Sequence, residues 1–178
     1  VGLHIPVICE RANPFDAFVS THYENLESLP ENARVGTCSL RRQSILRHRF
    51  PDLEVGNLRG NVNRRLQRLD NGDFDAIILA AAGLHRLDMA DRIRQVIASE
   101  VMLPAVGQGA IGVQCREDDK QTTELIEPLN HLETQRRVHA ERAANARLGG
   151  GCHVPLGAFA ELENGVLQLR GFVGDPDG

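Results

Sequence analysis

The sequence predicts an α/β fold organised around a sheet rich in parallel strands. Three observations predict it. Between Arg34 and Ala81 short apolar runs alternate with helical stretches of about ten residues, the pattern of βαβ units. Turn residues fall between the runs, at Pro51, Asn71-Gly72 and the triple glycine Gly149-Gly150-Gly151. Hydrophobic residues make up 42% of the 178, enough for one ordinary domain or two small ones.

Taken in order, Gly2–Cys9 alternates weakly and reads as a strand, and Asp16–Ser20 as another. The connector Arg11-Ala-Asn-Pro14 between them has the makings of a hinge. Arg34–Thr37 is a short strand, Leu40–Phe50 a helix stopped by Pro51, and Leu53–Leu58 a strand. Val62–Leu69 is a helix ended by Asn71-Gly72, and Phe74–Ala81 an apolar strand. Glu100–Ala110, with Pro104 and glycines flanking Gln108, reads as a second crossover, followed by a strand over Ile111–Cys115. Helices are expected over Thr122–Leu129 and Glu133–Leu148. Val154–Glu161 and Val166–Val173 flank Asn164-Gly165, the strongest short hairpin signal.

The net charge is −4, which argues against a polyanion binder held by bulk electrostatics, and the 4% aromatic content leaves little for base stacking. No nucleic-acid-binding signature and no Walker loop is present. No leader-like segment or apolar run of membrane-spanning length occurs, and Cys9, Cys38, Cys115 and Cys152 form no C-x-x-C pair. A soluble protein with reduced thiols in the cytoplasm is expected, with no metal. The chain starts on Val1 and stops on the turn signal Gly174-Asp-Pro-Asp-Gly178, so a fragment of a longer protein is expected.

Charge distribution says more than the sum. Lys120 is the only lysine, and residues 34–68 hold nine arginines against Asp52 and Glu54. Arginine gives a directional, bidentate grip on carboxylate or phosphate that lysine does not. In Gly36-Thr-Cys-Ser-Leu-Arg-Arg-Gln43 a strand passes through a polar turn into a helix with Arg41 and Arg42 in its first turn. Cations there oppose a dipole that favours anions by about 0.3–1 kcal/mol, so a negative group should sit in front of them. The plainer alternative is a solvated arginine face with Ser39 as N-cap. Asn57–Arg65 repeats the arrangement with Arg59, Gly60 and Arg65, and Ala81–Arg86 repeats it with Arg86. Open α/β sheets bind ligands beyond the carboxyl ends of their strands, so these arginines form one cationic mouth for a ligand with several carboxylates or phosphates. In Leu148-Gly-Gly-Gly-Cys-His-Val-Pro155, three glycines leave bare backbone beside Cys152. That cysteine is either a small buried hydrophobe or, exposed near arginines, a nucleophile of lowered pKa.

Five segments in order resemble the porphobilinogen deaminase (hydroxymethylbilane synthase) family along the whole chain: Val35–Gln43, Leu58–Val62, Leu69–Ala80, Leu103–Ala110 and Gly150–Pro155. The resemblance implies a transferase of haem biosynthesis, cytoplasmic and monomeric, with no nucleic-acid or membrane partner. Such enzymes join four porphobilinogen molecules, with loss of ammonia, onto a dipyrromethane cofactor and release a linear hydroxymethylbilane. Loss of ammonia makes an azafulvene that the free α-carbon of the terminal pyrrole attacks. Every pyrrole carries an acetate and a propionate. The resemblance makes Cys152 the thioether anchor of the dipyrromethane, with Gly150 and Gly151 giving the pyrrole chain room. It makes Arg41, Arg42, Arg59, Arg65 and Arg86 the carboxylate grips, Ser39 a hydroxyl beside them, and Gln108 part of an inter-domain strand.

The same resemblance implies a periplasmic-binding-protein-like (type II) domain over 14–104. It makes 1–11 and 108–120 the returning part of a truncated first domain, and 130–178 the start of an α+β third domain. Cys38 stands where serine is frequent in the family. The family's catalytic aspartate, in a His-Ser-x-Lys-Asp motif, falls upstream of Val1, so the chain alone is expected not to turn over. The competing expectation is a non-catalytic anion-binding regulatory domain of similar fold.

Overall fold

The run Asp16-Ala-Phe-Val-Ser20 is buried at every residue, which a strand achieves only where both faces of its sheet are covered. In the computed structural model, which describes every residue except Val1 and Cys152, that run is β2. The elements in order are β1 (Leu3–Ile8), β2 (Asp16–Ser20), β3 (Arg34–Gly36), α1 (Leu40–Arg49), β4 (Glu54–Gly56), α2 (Val62–Asp70), β5 (Ala76–Ala80), α3 (Ala81–Arg86), β6 (Gln95–Ile97), β7 (Gly112–Arg116), α4 (Lys120–Ile126), α5 (Leu132–Arg147), β8 (Leu156–Glu163) and β9 (Val166–Val173).

The central sheet has the order β4-β3-β5-β2-β6. β3 runs parallel to β4 and β5, while β2 runs antiparallel to both β5 and β6. The sheet is therefore mixed. The expectation of parallel strands holds where helices supply the crossovers a parallel pair needs. β2 lies outside that βαβ run, enters from β1 without a helix and runs antiparallel. β6 was not foreseen: at three residues it is too short to show an alternation.

Period-2 alternation divides the core between the two faces. Ala17, Val19, Ile77 and Leu79 meet Leu66, Leu69 and Leu84 from α2 and α3 on one side. Phe18, Val35, Ala76, Ile78 and Ile97 meet Ile45 and Leu46 of α1 on the other.

β1 and β7 form a separate antiparallel pair. Two connectors join this pair to the central sheet and run side by side, with Cys9 N donating to Ile111 O at 2.9 Å and Ala12 N to Gly109 O at 3.1 Å. Gly109 has φ +84°, and a Cβ there would lie 2.7 Å from Ala12 O and 2.9 Å from Asn13 O, so no larger residue fits without parting the connectors. Gln108 sits in this turn and not in a strand, a correction to the expectation: Pro104 and the positive-φ Gly107 and Gly109 bend the segment.

The third expected helix, Thr122–Leu129, is Lys120–Ile126 followed by a 3₁₀ turn at 127–129 that contains Pro128. α5 packs on the β8–β9 hairpin, whose turn is made by Asn164 (φ 51°) and Gly165 (φ 79°), the two positive-φ residues of a type I′ loop. Among the described residues no helix is long and apolar enough to cross a membrane, and no group of three His, Cys, Asp or Glu is placed to hold a metal.

One buried carboxylate joins the connectors, α5 and the hairpin. Glu141, fully buried, accepts from Arg11 Nη1 at 2.6 Å and Nη2 at 3.2 Å, from Gly107 N at 2.7 Å and from Ala160 N at 2.9 Å. The Arg11 guanidinium also stacks 5.2 Å from the Phe159 ring centroid. Removing one partner of a buried pair strands the other, at about 3–5 kcal/mol. Glu141→Gln is expected to lose that much stability in urea unfolding. Glu133→Gln, which breaks only the surface pair with Arg137 on the same helix, should change it by less than about 1 kcal/mol.

Candidate functional site

Because β3, β4 and β5 are parallel, their carboxyl ends fall on one edge of the sheet. The turns and helix starts that follow carry Ser39, Arg41 and Arg42, then Arg59 and Arg65, and α3 ends on Arg86. Ser39 is the N-cap of α1: its Oγ accepts from Arg42 N at 3.5 Å, and its own N–H donates to Thr37 Oγ1 at 3.2 Å.

The anion required in front of the first turn of α1 is supplied partly from within the chain. β2 is antiparallel and pairs Asp16 with Ala80, so the first residue of β2 lies at the edge where its neighbours end. Arg42 donates to Asp16 Oδ1 through Nε at 3.0 Å and Nη2 at 2.7 Å, and to Ile78 O through Nη1 at 3.1 Å. Arg41 Nη2 lies 2.8 Å from Asp16 Oδ2, and Nη1 donates to Leu103 O at 2.5 Å. Gln108 Nε2 donates to Asp16 Oδ1 at 3.0 Å and to Pro14 O at 2.6 Å.

Asp16, Arg41 and Arg42 are 0%, 3% and 7% exposed. One carboxylate thus faces two guanidinium groups in a dry site, leaving one positive charge in excess. Burial pushes the Asp16 carboxyl up, but the charges and hydrogen bonds of Arg42 and Arg41 outweigh it, and its pKa lies below the ordinary 3.8. Burial and the neighbouring Arg42 push Arg41 below its ordinary value, against the pull of Asp16. Arg41 Nε is buried with no hydrogen-bond partner.

Arg41 forms part of the wall of a cleft of about 620 Å³. Its other walls are Cys38, Ser39 and Leu40 at the start of α1, Ala105 and Val106 of the second connector, Arg142 and Asn145 of α5, and Gly151, Val154 and Leu156. A second cavity of about 460 Å³ shares Cys38 and Leu40 with it and adds Gln43, Asn57, Arg59, Gly60, Arg65 and His153. Arg65 is held in that wall by Nε donating to Gly60 O at 2.7 Å, with Nη2 3.5 Å from Cys38 Sγ. Gln43 ties the two strand ends together, donating to Thr37 O and Asn57 Oδ1 at 2.9 Å each.

The structure therefore brings Ser39, Arg41, Arg59, Arg65 and Gly151 to two adjoining cavities. Arg42 is buried behind them on Asp16. Gln108 anchors Asp16, and Arg86 lies outside both cavities, its Nη2 donating to Gly109 O at 2.9 Å. Gly150 closes α5, its N–H bonded to Asn145 O at 2.8 Å, where a Cβ would collide with the Asn145 side chain. Cys152 lies outside the described residues. Sequence reasoning missed Asp16, Gln43, Arg142 and Asn145. The signal for Asp16 was an acid opening an otherwise apolar strand.

A mixed α/β domain with an arginine-walled cleft at its parallel strand ends, joined to a helix and hairpin that close the other wall, defines the class of protein. Residues 1–124 match the family model of the porphobilinogen deaminase dipyromethane cofactor binding domain, and residues 135–178 match that of the porphobilinogen deaminase C-terminal domain. The chain belongs to the porphobilinogen deaminase family.

Solved structures similar to it include a Bacillus subtilis subsp. subtilis str. 168 lipoprotein described as methionine-binding, 12% identical with TM-score 0.49, over 76% of this chain and 64% of that one. A YaeC-family lipoprotein from Enterococcus faecalis V583 is 16% identical with TM-score 0.48, over 84% of this chain and 69% of that one. A nutrient binding protein from Burkholderia cenocepacia bound to methionine is 9% identical with TM-score 0.45, over 84% and 68%. The chain spans 64–69% of the lengths of these three proteins.

The charge cluster has a definite pH signature. A carboxyl depressed on folding contributes stability that is complete above its unfolded pKa, about 3.9, and is lost as pH falls through the folded value. The stability gap between the parent and Asp16→Asn in urea unfolding is expected to be constant from about pH 8 to pH 5 and to close only below about pH 4.

Proposed function

We propose that this chain carries the cofactor-anchoring and carboxylate-gripping parts of a hydroxymethylbilane synthase, a transferase that assembles a linear tetrapyrrole from four porphobilinogen molecules with loss of ammonia. The observation that carries the reading is the cleft: an excess buried positive charge at Arg41 opens into a cavity with Arg59 and Arg65 in its extension. A ligand bearing several carboxylates on flat, partly apolar rings suits that wall, because guanidinium groups alternate there with Leu40, Val106, Val154 and Leu156.

A dipyrromethane fits the same residues. Arg41 and Arg142 would hold its acetates and propionates, and Leu40, Val106, Val154 and Leu156 would pack against its rings. We assign Cys152 as the thioether anchor, supported by the presence of Gly151 and Val154 in the cleft wall. When bound, the cofactor supplies the free pyrrole α-carbon to which porphobilinogen is joined. The chain's own residues bind and orient. Arg41 holds carboxylate at one end of the cleft, and Arg59 and Arg65 hold it at the other. The fixed guanidinium groups convert an encounter of two rings into a positioned pair.

The domain reading is part of the proposal. Residues 14–104 form the type II binding-protein-like domain, 1–11 and 108–120 a returning segment of another, and 130–178 the anchoring domain. It is supported by the pairing of β1 with β7 apart from the central sheet. A cytoplasmic monomer acting on porphobilinogen, with no nucleic-acid or membrane partner, completes it.

The test is the mass of the Cys152 peptide, after digestion, from the full-length enzyme incubated with porphobilinogen. An added dipyrromethane is expected, and none in Cys152→Ser. A parent thiol left unmodified while porphobilinogen still binds, equally well in both proteins, would replace this reading with a reversible anion-binding domain. Arg59→Gln, at an exposed position, is expected to weaken porphobilinogen binding about ten-fold in calorimetry, with a stability change within about 0.5 kcal/mol.

A further inference from the structure

Three charged side chains, each more than nine-tenths buried, meet at the first residue of β2, and their charges do not cancel. A strut would need only a neutral pair. Asp16 with Arg42 already provides one, because all three nitrogens of that guanidinium are engaged, on Asp16 Oδ1 and Ile78 O. Arg41 adds a second buried cation whose Nε finds no partner, on the wall of the cleft. Burying an extra charge is unfavourable unless an anion compensates it. Asp16 meets both arginines at once, one on each carboxylate oxygen, and is itself fixed by Gln108 from the second connector.

We propose that Asp16 is a positioning residue for ligand recognition. It fixes Arg41 in the cleft wall, and it cancels one of the two guanidinium charges. The cleft then presents a single uncompensated charge at this point, and a carboxylate docks on Arg41 without reaching Arg42. The inference rests on the reading of the cleft as a carboxylate site and adds the residue that sets its charge and its depth. With Asp16 neutral, both guanidinium charges stand uncompensated, and an incoming carboxylate at the cleft wall would act on Arg42 as well as on Arg41.

The side-chain Nε–Hε resonances of Arg41 and Arg42, followed by NMR in the full chain, separate these placements. Succinate is the probe, with porphobilinogen in a parallel titration. In the parent, succinate is expected to shift Arg41 Hε and leave Arg42 Hε in place; in Asp16→Asn both resonances should shift. A parent in which both move, or a variant in which the response stays confined to Arg41 while its melting temperature falls, leaves Asp16 a structural residue only and overturns the proposal. Should Asp16→Asn not fold, Gln108→Leu decides. It keeps both ion pairs but removes the amide bond that fixes the carboxylate, and a response spread to Arg42 supports the proposal while one confined to Arg41 overturns it. A parent that answers to succinate at Arg41 but not to porphobilinogen sinks the functional reading and leaves the role of Asp16 standing.

Discussion

The Asp16 carboxylate is the constraint on which the rest of the site depends. Two adjacent arginines in the first turn of a helix are unfavourable on three counts: they repel each other, they oppose the helix dipole, and they lie buried. Their attraction to Asp16 offsets these costs only while the carboxylate stays ionised and fixed, and both conditions are built in. The guanidinium groups hold its pKa down, and Gln108 holds its oxygen while also bonding Pro14 O. The start of α1, the first residue of β2 and both connectors are therefore locked to one another by polar contacts, at the point where the cleft opens.

A second buried ion pair extends the same path. Arg11 and Gln108 belong to different connectors, yet Arg11 Nε donates to Gln108 O at 2.9 Å and its Nη atoms reach Glu141 in α5. Asp16 and Glu141 are thus joined through Gln108 and Arg11, and with them the two walls of the cleft. Leu156 of β8 and Arg41 of α1 face the same cavity, and Gly157 lets the hairpin approach, since a Cβ there would lie 3.2 Å from Arg41 Cδ. Arg170 adds an outer link from β9, donating to Glu161, Ser99 and Glu100. That link is only half-buried, so it contributes less to stability than the two buried clusters do.

What was legible in the sequence follows from range. The β3–α1–β4–α2–β5 succession and the Asn164-Gly165 turn are set by local periodicity and turn chemistry, and each appears where those signals put it. Strand direction is not local. The reversal of β2 depends on which neighbours it finds between β5 and β6, and missing the reversal meant missing that Asp16 reaches the arginine edge. Glu141 was hidden for a related reason: α5 is polar on most faces, and a charged residue on its buried face looks like any surface acid until Arg11, 130 residues earlier, is placed against it. Gln108 was recognised as a special position, but the two glycines beside it were the evidence for a turn and not for a strand.

The choice of arginine at Arg41 and Arg42 follows from the same geometry. A lysine ammonium is a strongly hydrated point charge that readily sheds its proton when buried, whereas guanidinium stays charged and distributes its donors in a plane. Arg42 uses that plane to reach Asp16 and the Ile78 carbonyl together; Arg41 uses it to reach Asp16 and the Leu103 carbonyl while keeping Nε free. A cation that must be dry, permanently charged and held by a backbone carbonyl on one side and a carboxylate on the other is best built from arginine. The exposed Arg59 and the half-buried Arg65 stand under weaker constraint. The cleft is accordingly bounded by buried, ion-paired guanidinium at the cluster and by more exposed guanidinium groups at its far end.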